Sequence, residues 1–87
     1  MSVEERAKIV SKVLRDWFNE TNKLETTPEE IMPYLIDRNI YKDDSRNDAL
    51  RLRRDLRKLV EKNKLYMLEE AEYVQKKINK QWYFVKR

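Results

Sequence analysis

The chain contains no glycine, no cysteine and no histidine among its 87 residues. Without cysteine it has neither a disulfide nor a thiolate metal ligand, and without histidine it lacks the commonest general base and zinc ligand. Without glycine it cannot form a Walker loop or a dinucleotide-binding fingerprint. These absences argue against most enzyme classes, and no motif of carboxylates, lysines and tyrosines indicates a catalyst. We therefore expect a protein that is not an enzyme and that uses no cofactor and no metal.

Long apolar runs are missing as well. No stretch is long enough for a transmembrane helix, so no membrane association is expected. The first residues, MSVEERAKIV, are charged throughout and lack the apolar centre of a signal peptide, which favours a cytoplasmic protein. Apolar residues still make up 40% of the chain and aromatic residues 10%, unlike a disordered composition. The length predicts one small domain over residues 1–87 with a marginal core.

Charge is distributed unevenly along the chain. Residues 1–44 carry 7 Lys and Arg against 10 Asp and Glu, whereas residues 45–87 carry 13 against 6. A mildly acidic half is thus joined to a strongly basic half. This asymmetry indicates a polyanionic partner for the second half, although solubility alone also accounts for a basic surface.

Two helices are signalled in the acidic half. The first begins at Ser2, which forms a capping box with Glu5, and is expected to end near residue 19 or 20. The second has Thr27 as its N-cap and Pro28 at its first helical position, and is expected over 28–38. Pro33 is expected to kink this helix or to begin it afresh. Asn39 suits a chain reversal after it.

The third helix is the most informative stretch, SRNDALRLRRDLRKLVEKN over 45–63. Ser45 is the expected N-cap, and Asn63 the expected left-handed residue past the end. At about 100° per residue the apolar residues occupy about a third of the circumference. These apolar residues are Ala49, Leu52, Leu56, Leu59 and Val60. Cationic side chains cover most of the rest, which is typical of a helix that reads a nucleic-acid groove and equally of a solvated helix.

The pattern beyond the third helix is typical of β-structure. Leu65–Leu68 suits a short strand, and Gln81–Val85, rich in aromatic and branched residues, is the clearest strand. The stretch 69–78 between them fits a strand, a helix or a loop, and we expect a hairpin with a long tip. Six aromatic residues are expected in the core: Trp17, Phe18, Tyr34, Tyr41, Trp82 and Phe84.

The order of these elements resembles the winged helix-turn-helix superfamily of DNA-binding proteins. The resemblance covers nearly the whole chain and is carried by Thr27–Glu30, by 45–63, and by the Leu65–Leu68 and Trp82–Val85 segments. It implies an α+β fold, a winged helix with a three-helix core followed by a C-terminal β-hairpin wing. It also implies double-stranded DNA as the partner, with the third helix in the major groove and the wing on adjacent backbone. A small transcriptional regulator or accessory factor is the expected function.

The resemblance also assigns residues to the DNA contact. The early turns of a recognition helix go deepest into the groove, so the residues from Arg46 to Arg54 are expected to matter most. Arg53 and Arg57 flank the apolar stripe and are expected to matter less. Lys58 is expected farther out, near phosphate. The expected DNA-binding residues are Arg46, Asn47, Leu50, Arg51, Arg54 and Lys58 on the helix, and Lys76, Lys77 and Lys80 at the wing tip.

Two other interpretations stay open at the level of sequence. In the plainest interpretation, the charged side chains of the third helix only solvate its outer face and pair with their neighbours. The same fold also serves as a protein–protein interaction module without direct DNA binding, through the acidic half or through Leu50 and its basic neighbours. A homodimer through the first helix is compatible with either function. No small-molecule ligand and no effector domain is evident in the sequence.

Overall fold

The computed structural model describes residues 2–42 and 49–87. These residues form three α-helices, three strands and one turn of 3-10 helix. The elements are α1 (Val3–Thr21), β1 (Glu25–Thr26), α2 (Pro28–Asp37), α3 (Leu50–Glu61), β2 (Ala71–Gln75) and β3 (Trp82–Lys86), with the 3-10 turn at Leu65–Met67. The expected α+β class is confirmed. Within these two ranges, every helix is too short or too polar to cross a membrane.

Both helix starts predicted in the acidic half are confirmed. The Ser2 hydroxyl accepts a hydrogen bond from the Glu5 amide at 3.1 Å, and the Thr27 hydroxyl accepts one from the Glu30 amide at 3.3 Å. Pro33 lies inside α2, which does not begin afresh there. A proline at this position removes the bond to the carbonyl four residues earlier, while the first turn keeps its Thr27 cap.

An asparagine in the left-handed region follows each of the three helices. Asn22, Asn39 and Asn63 have φ angles of 56°, 58° and 57°, in the region that glycine usually fills. After α3 the Lys64 amide donates to the Leu59 carbonyl at 2.8 Å, and the Asn63 amide donates to the carbonyl of residue 60 at 3.0 Å. These two bonds form a Schellman motif. The predicted left-handed cap at Asn63 is confirmed, and Asn39 reverses the chain as expected.

We expect Asn63→Ala to lower the free energy of unfolding by about 1 kcal/mol, because a Cβ crowds the following carbonyl oxygen in the left-handed region and alanine lacks the polar side chain that lets asparagine adopt it. Asn63→Gly is the control, since glycine adopts this conformation freely, and its stability should stay near that of the native protein. Urea unfolding followed by circular dichroism measures both variants. Equal stability of Asn63→Ala and the native protein would contradict a role for the left-handed cap.

Helix α3 is shorter than the predicted 45–63 helix. It begins at Leu50, after Ala49, whose φ of 68° lies in the left-handed region and breaks a continuous helix. The predicted start is therefore wrong, and α3 begins without a side-chain cap. Periodicity does not reveal this break, because alanine favours the helix and also continues the apolar stripe. The predicted N-cap Ser45 lies outside the described residues.

The strands form one antiparallel sheet in the order β1–β3–β2. Strands β2 and β3 form a hairpin, as expected, with Tyr73 opposite Phe84 and Gln75 opposite Trp82. The connection spans only residues 76–81, so the expected long tip is wrong. The open stretch 69–78 thus contains the strand β2 and the start of the hairpin connection. The predicted strand at Leu65–Leu68 is wrong, because residues 65–67 form a 3-10 turn. Four apolar residues in a row are too few to separate the two structures by period.

The core lies where the three helices meet the inner face of the sheet. Its largest buried apolar side chains include Val10, Leu14, Phe18, Ile31, Leu35, Leu52, Leu56, Leu59, Leu68 and Phe84. The core positions predicted for Trp17, Phe18, Tyr41 and Phe84 are confirmed. Tyr34 and Trp82 are 37% and 39% exposed, so their predicted core positions are wrong. Tyr34 lies at the edge of the buried apolar side of α2. Trp82 is the first residue of β3, next to the hairpin connection.

Candidate nucleic-acid interface

Helix α3 has an apolar side and a cationic side. Leu52, Leu56 and Leu59 are buried against the core. The opposite side is exposed and is formed by Leu50, Arg51, Arg53, Arg54, Arg57, Lys58, Val60 and Glu61. Within α3 the single exposed acid is Glu61, in the last turn. The solvent-facing side is therefore strongly positive over most of the helix length.

Acidic side chains of the first half neutralise several cations of the second half. The pairs are Arg53–Glu29, Lys62–Glu4 at 3.6 Å, Lys64–Glu4 at 3.3 Å and Lys76–Glu25 at 2.7 Å. Part of the positive charge of the second half is thus balanced within the fold, by ion pairs that connect β1, α1 and α2 to the basic half.

Four cations of α3 keep their charge exposed. Arg51, Arg54, Arg57 and Lys58 form no ion pair with any of the described residues. Leu50 lies at the start of the same side and is 37% exposed. The structure therefore brings together the predicted residues Leu50, Arg51, Arg54 and Lys58. It adds Arg57 to them, which the sequence pattern assigns to a lesser role.

One flank of α3 borders a groove of about 320 Å³. Asp55 lines this groove and accepts hydrogen bonds from Arg6 at 2.6 and 3.0 Å and from the Tyr41 hydroxyl at 2.6 Å. Four further cations line the same groove: Lys42, Arg51, Arg54 and Lys58. Among the described residues of this lining, five cations face the single acid Asp55.

The Asp55 network fixes the position of α3. Hydrogen bonding to Asp55 raises the pKa of Arg6. Burial raises the pKa of Tyr41, and the hydrogen bond to Asp55 adds to that shift, so the hydroxyl stays protonated and donates. The network joins α1, the chain after α2, and α3. Its only sequence signal is an acid at the edge of the apolar stripe, next to Leu56, in a helix otherwise rich in arginine.

The other flank of α3 faces the hairpin across a second groove, of about 280 Å³. Arg53, Arg57 and Val60 line it from α3, and Tyr73 and Trp82 line it from the hairpin. The Tyr73 and Trp82 rings stack with their centroids 4.8 Å apart and their planes at 21°. Val60 is 45% exposed, so its predicted place in the buried stripe is wrong. Its side chain faces this open groove instead of the core.

The predicted wing residues lie in the hairpin connection. Lys77 and Lys80 are exposed, and the backbone turns at Lys80, whose φ is 56°. Lys76 differs from them, because its ammonium group pairs with Glu25 at 2.7 Å and lies 4.4 Å from the centroid of the Tyr83 ring. Of the three lysines, Lys77 and Lys80 are thus the ones with their charge turned to solvent.

Two of the predicted contacts on the third helix, Arg46 and Asn47, lie outside the described residues. In the part of the chain that the structure describes, no group of three or more acidic side chains is arranged to hold a metal ion. No family model matches this chain, and no curated protein or solved structure matches it. The charge and geometry of α3 and its two grooves are therefore the basis for assigning a function.

Proposed function

We propose that this protein binds double-stranded DNA through α3, as a small transcriptional regulator or accessory factor. One observation carries the proposal: Arg51, Arg54, Arg57 and Lys58 are exposed on one side of α3 and form no ion pair with the described residues. An α-helix with its side chains is about 10–12 Å across, which matches the major groove width of about 12 Å.

The proposed mechanism has two stages. Electrostatic attraction brings the cationic side of α3 to the phosphates, and each phosphate that is neutralised releases counterions. The arginine side chains then pair with phosphates or with guanine edges, and Leu50 meets a thymine methyl group. The Asp55 network holds α3 in place before binding. Docking therefore does not have to order the helix itself, and the main ordering cost falls on the exposed cationic side chains.

A winged-helix arrangement is part of the proposal. Support comes from the order of the elements, since three helices precede the β2–β3 hairpin. Further support comes from the second groove, which lies between α3 and the hairpin. With α3 in the major groove, the hairpin would lie along adjacent backbone. Lys77 and Lys80 would then contact phosphate, while Lys76 stays paired with Glu25.

We expect Arg51→Ala combined with Arg54→Ala to weaken duplex binding about tenfold or more at moderate salt. The slope of log affinity against log salt should fall by about two, since each phosphate contact contributes about 0.9 to that slope. Fluorescence anisotropy with a labelled duplex, titrated at several salt concentrations, measures both quantities. Circular dichroism checks that the variant keeps its helical content.

Lys8→Ala combined with Lys12→Ala is the matched control. It removes the same charge from exposed positions of α1 that lie beside Glu69 and Glu70 in a separate surface groove. Its duplex affinity should stay within about twofold of the native value, apart from the small effect of net charge. Equal weakening by the two double variants would contradict a specific role for α3. No duplex binding by the native protein at low salt would overturn the proposal in favour of a protein-interaction module.

A further inference from the structure

The second groove ends on an exposed stack of aromatic rings. Phe84 is fully buried, and its ring lies 5.1 Å from the Tyr73 ring. Tyr73 in turn stacks on Trp82, and Trp82 is 39% exposed. The inner face of the hairpin thus carries a row of three rings from the core to the surface.

The opposite wall of the groove is cationic. Arg53 and Arg57 are exposed along it, and Arg53 is held there by its pair with Glu29. Burial raises the pKa of Tyr73, and the nearby charge of Arg53 opposes that shift. Arg53 and Tyr73 thus line the groove from opposite walls. Arg57 is the second cation of this wall and forms no ion pair with the described residues.

We propose that this groove binds an unpaired nucleobase, stacked on Trp82, with the adjoining phosphate on Arg57. The inference rests on the proposed DNA binding and deepens it. The preferred substrate is a duplex that continues into a single-stranded segment. Bases of any sequence stack on an exposed aromatic ring, and cationic side chains beside the ring track the backbone.

The chemistry of the groove favours a nucleic-acid strand over an apolar partner. An apolar peptide laid on Trp82 and Val60 would take Arg57 out of water without a partner for its charge, which is unfavourable. A single strand offers a π-face and a phosphate in alternation, so it satisfies the ring and the arginine together. Arg57 also lies on the cationic side of α3. The proposed duplex surface and the proposed base site are therefore continuous at this residue.

The test compares two DNAs that share one duplex sequence. One duplex is blunt, and the other carries a short single-stranded thymidine overhang. The native protein should bind the overhang form about tenfold more tightly, as expected for one stacked base. Trp82→Ala should lose this gain and keep the blunt-duplex affinity. Trp82→Phe, which retains a ring, should keep most of the gain.

Tryptophan fluorescence gives an independent readout. The chain has two tryptophans, of which Trp17 is buried and Trp82 is exposed. In a Trp17→Phe variant, the overhang DNA should quench Trp82 emission and the blunt duplex should not. Val60→Glu is a second test of the groove, because it places a negative charge at an exposed position and leaves the ring stack intact. It should also abolish the gain from the overhang.

The outcomes separate this inference from the proposed function. Equal affinity of the native protein for both DNAs, or an undiminished gain in Trp82→Ala and Val60→Glu, would overturn the base site while duplex binding stands. No binding of the blunt duplex, together with binding of single-stranded oligothymidylate that quenches Trp82, would overturn the proposed duplex binding and retain the base site. Failure to bind either DNA would overturn both.

Discussion

We expect Asp55→Ala to lower the free energy of unfolding by about 3 kcal/mol, the lower end of the range for breaking a buried ion pair. The substitution removes the carboxylate that accepts hydrogen bonds from Arg6 at 2.6 and 3.0 Å and from Tyr41 at 2.6 Å. The lower end applies because the Arg6 side chain is 23% exposed and water offsets part of the loss. Since small domains have about 5–15 kcal/mol of stability in total, urea unfolding should show a large shift in midpoint.

Tyr41→Phe is the graded control for this prediction. It removes one hydrogen bond and leaves the ion pair between Asp55 and Arg6 in place, so the expected loss is about 1 kcal/mol. Asp55→Asn should fall between the two variants, because it keeps the shape of the side chain and one acceptor oxygen but loses the charge. If Asp55→Ala were as stable as Tyr41→Phe, the ion pair would contribute nothing to stability.

Phe84→Ala is the second substitution with a large expected effect, a loss of about 4 kcal/mol. Phe84 is fully buried in the central strand, opposite Thr26 of β1 and Tyr73 of β2. Its removal leaves a cavity where both outer strands meet the helices. Because the strands on either side lose a shared contact, the whole sheet should be weakened, and urea unfolding measures the loss.

Trp82→Ala serves as the matched control for Phe84→Ala. Trp82 lies two residues earlier on the same face of β3, but it is 39% exposed and packs chiefly on Tyr73. Its loss should cost about 1 kcal/mol, the scale of one aromatic pair. Phe84→Leu should retain most of the native stability, since it keeps apolar volume in the core. Similar losses for Phe84→Ala and Trp82→Ala would contradict the central place of Phe84.

Local chemistry explains which elements the sequence predicts well. Ser2, Thr27 and Asn63 act on backbone groups within a few residues, so their pattern alone places the ends of helices. The break at Ala49 has no such local signal. Strand β1 is two residues long and pairs with Val85 and Phe84, far along the chain. Neither the periodicity of the sequence nor the strand propensity of these residues predicts that β1 pairs with β3.

Some features of the candidate site are predicted by local sequence, and others depend on tertiary packing. The cationic side of α3 follows from residue spacing, and Leu50, Arg51, Arg54 and Lys58 share it as predicted. Which cations keep their charge exposed depends on glutamates distant in sequence, as with Lys76 and Glu25. The exposure of Trp82 depends on how far the helices cover the sheet. Tertiary packing decides these features, and a period of two in a strand cannot predict them.

The left-handed positions of this chain have a consequence for its stability. Asn22, Asn39, Ala49, Asn63 and Lys80 all hold positive φ without glycine, and the chain has no glycine at any position. A Cβ restricts the unfolded chain, which stabilises a protein only where the native φ suits that residue. In the left-handed region the same Cβ crowds the following carbonyl oxygen and costs about 1–2 kcal/mol in the folded state, less for asparagine. At these five positions the smaller loss of backbone entropy is therefore offset by strain in the folded state. A domain with so small a core thus loses part of its stability to the backbone conformation of its own turns.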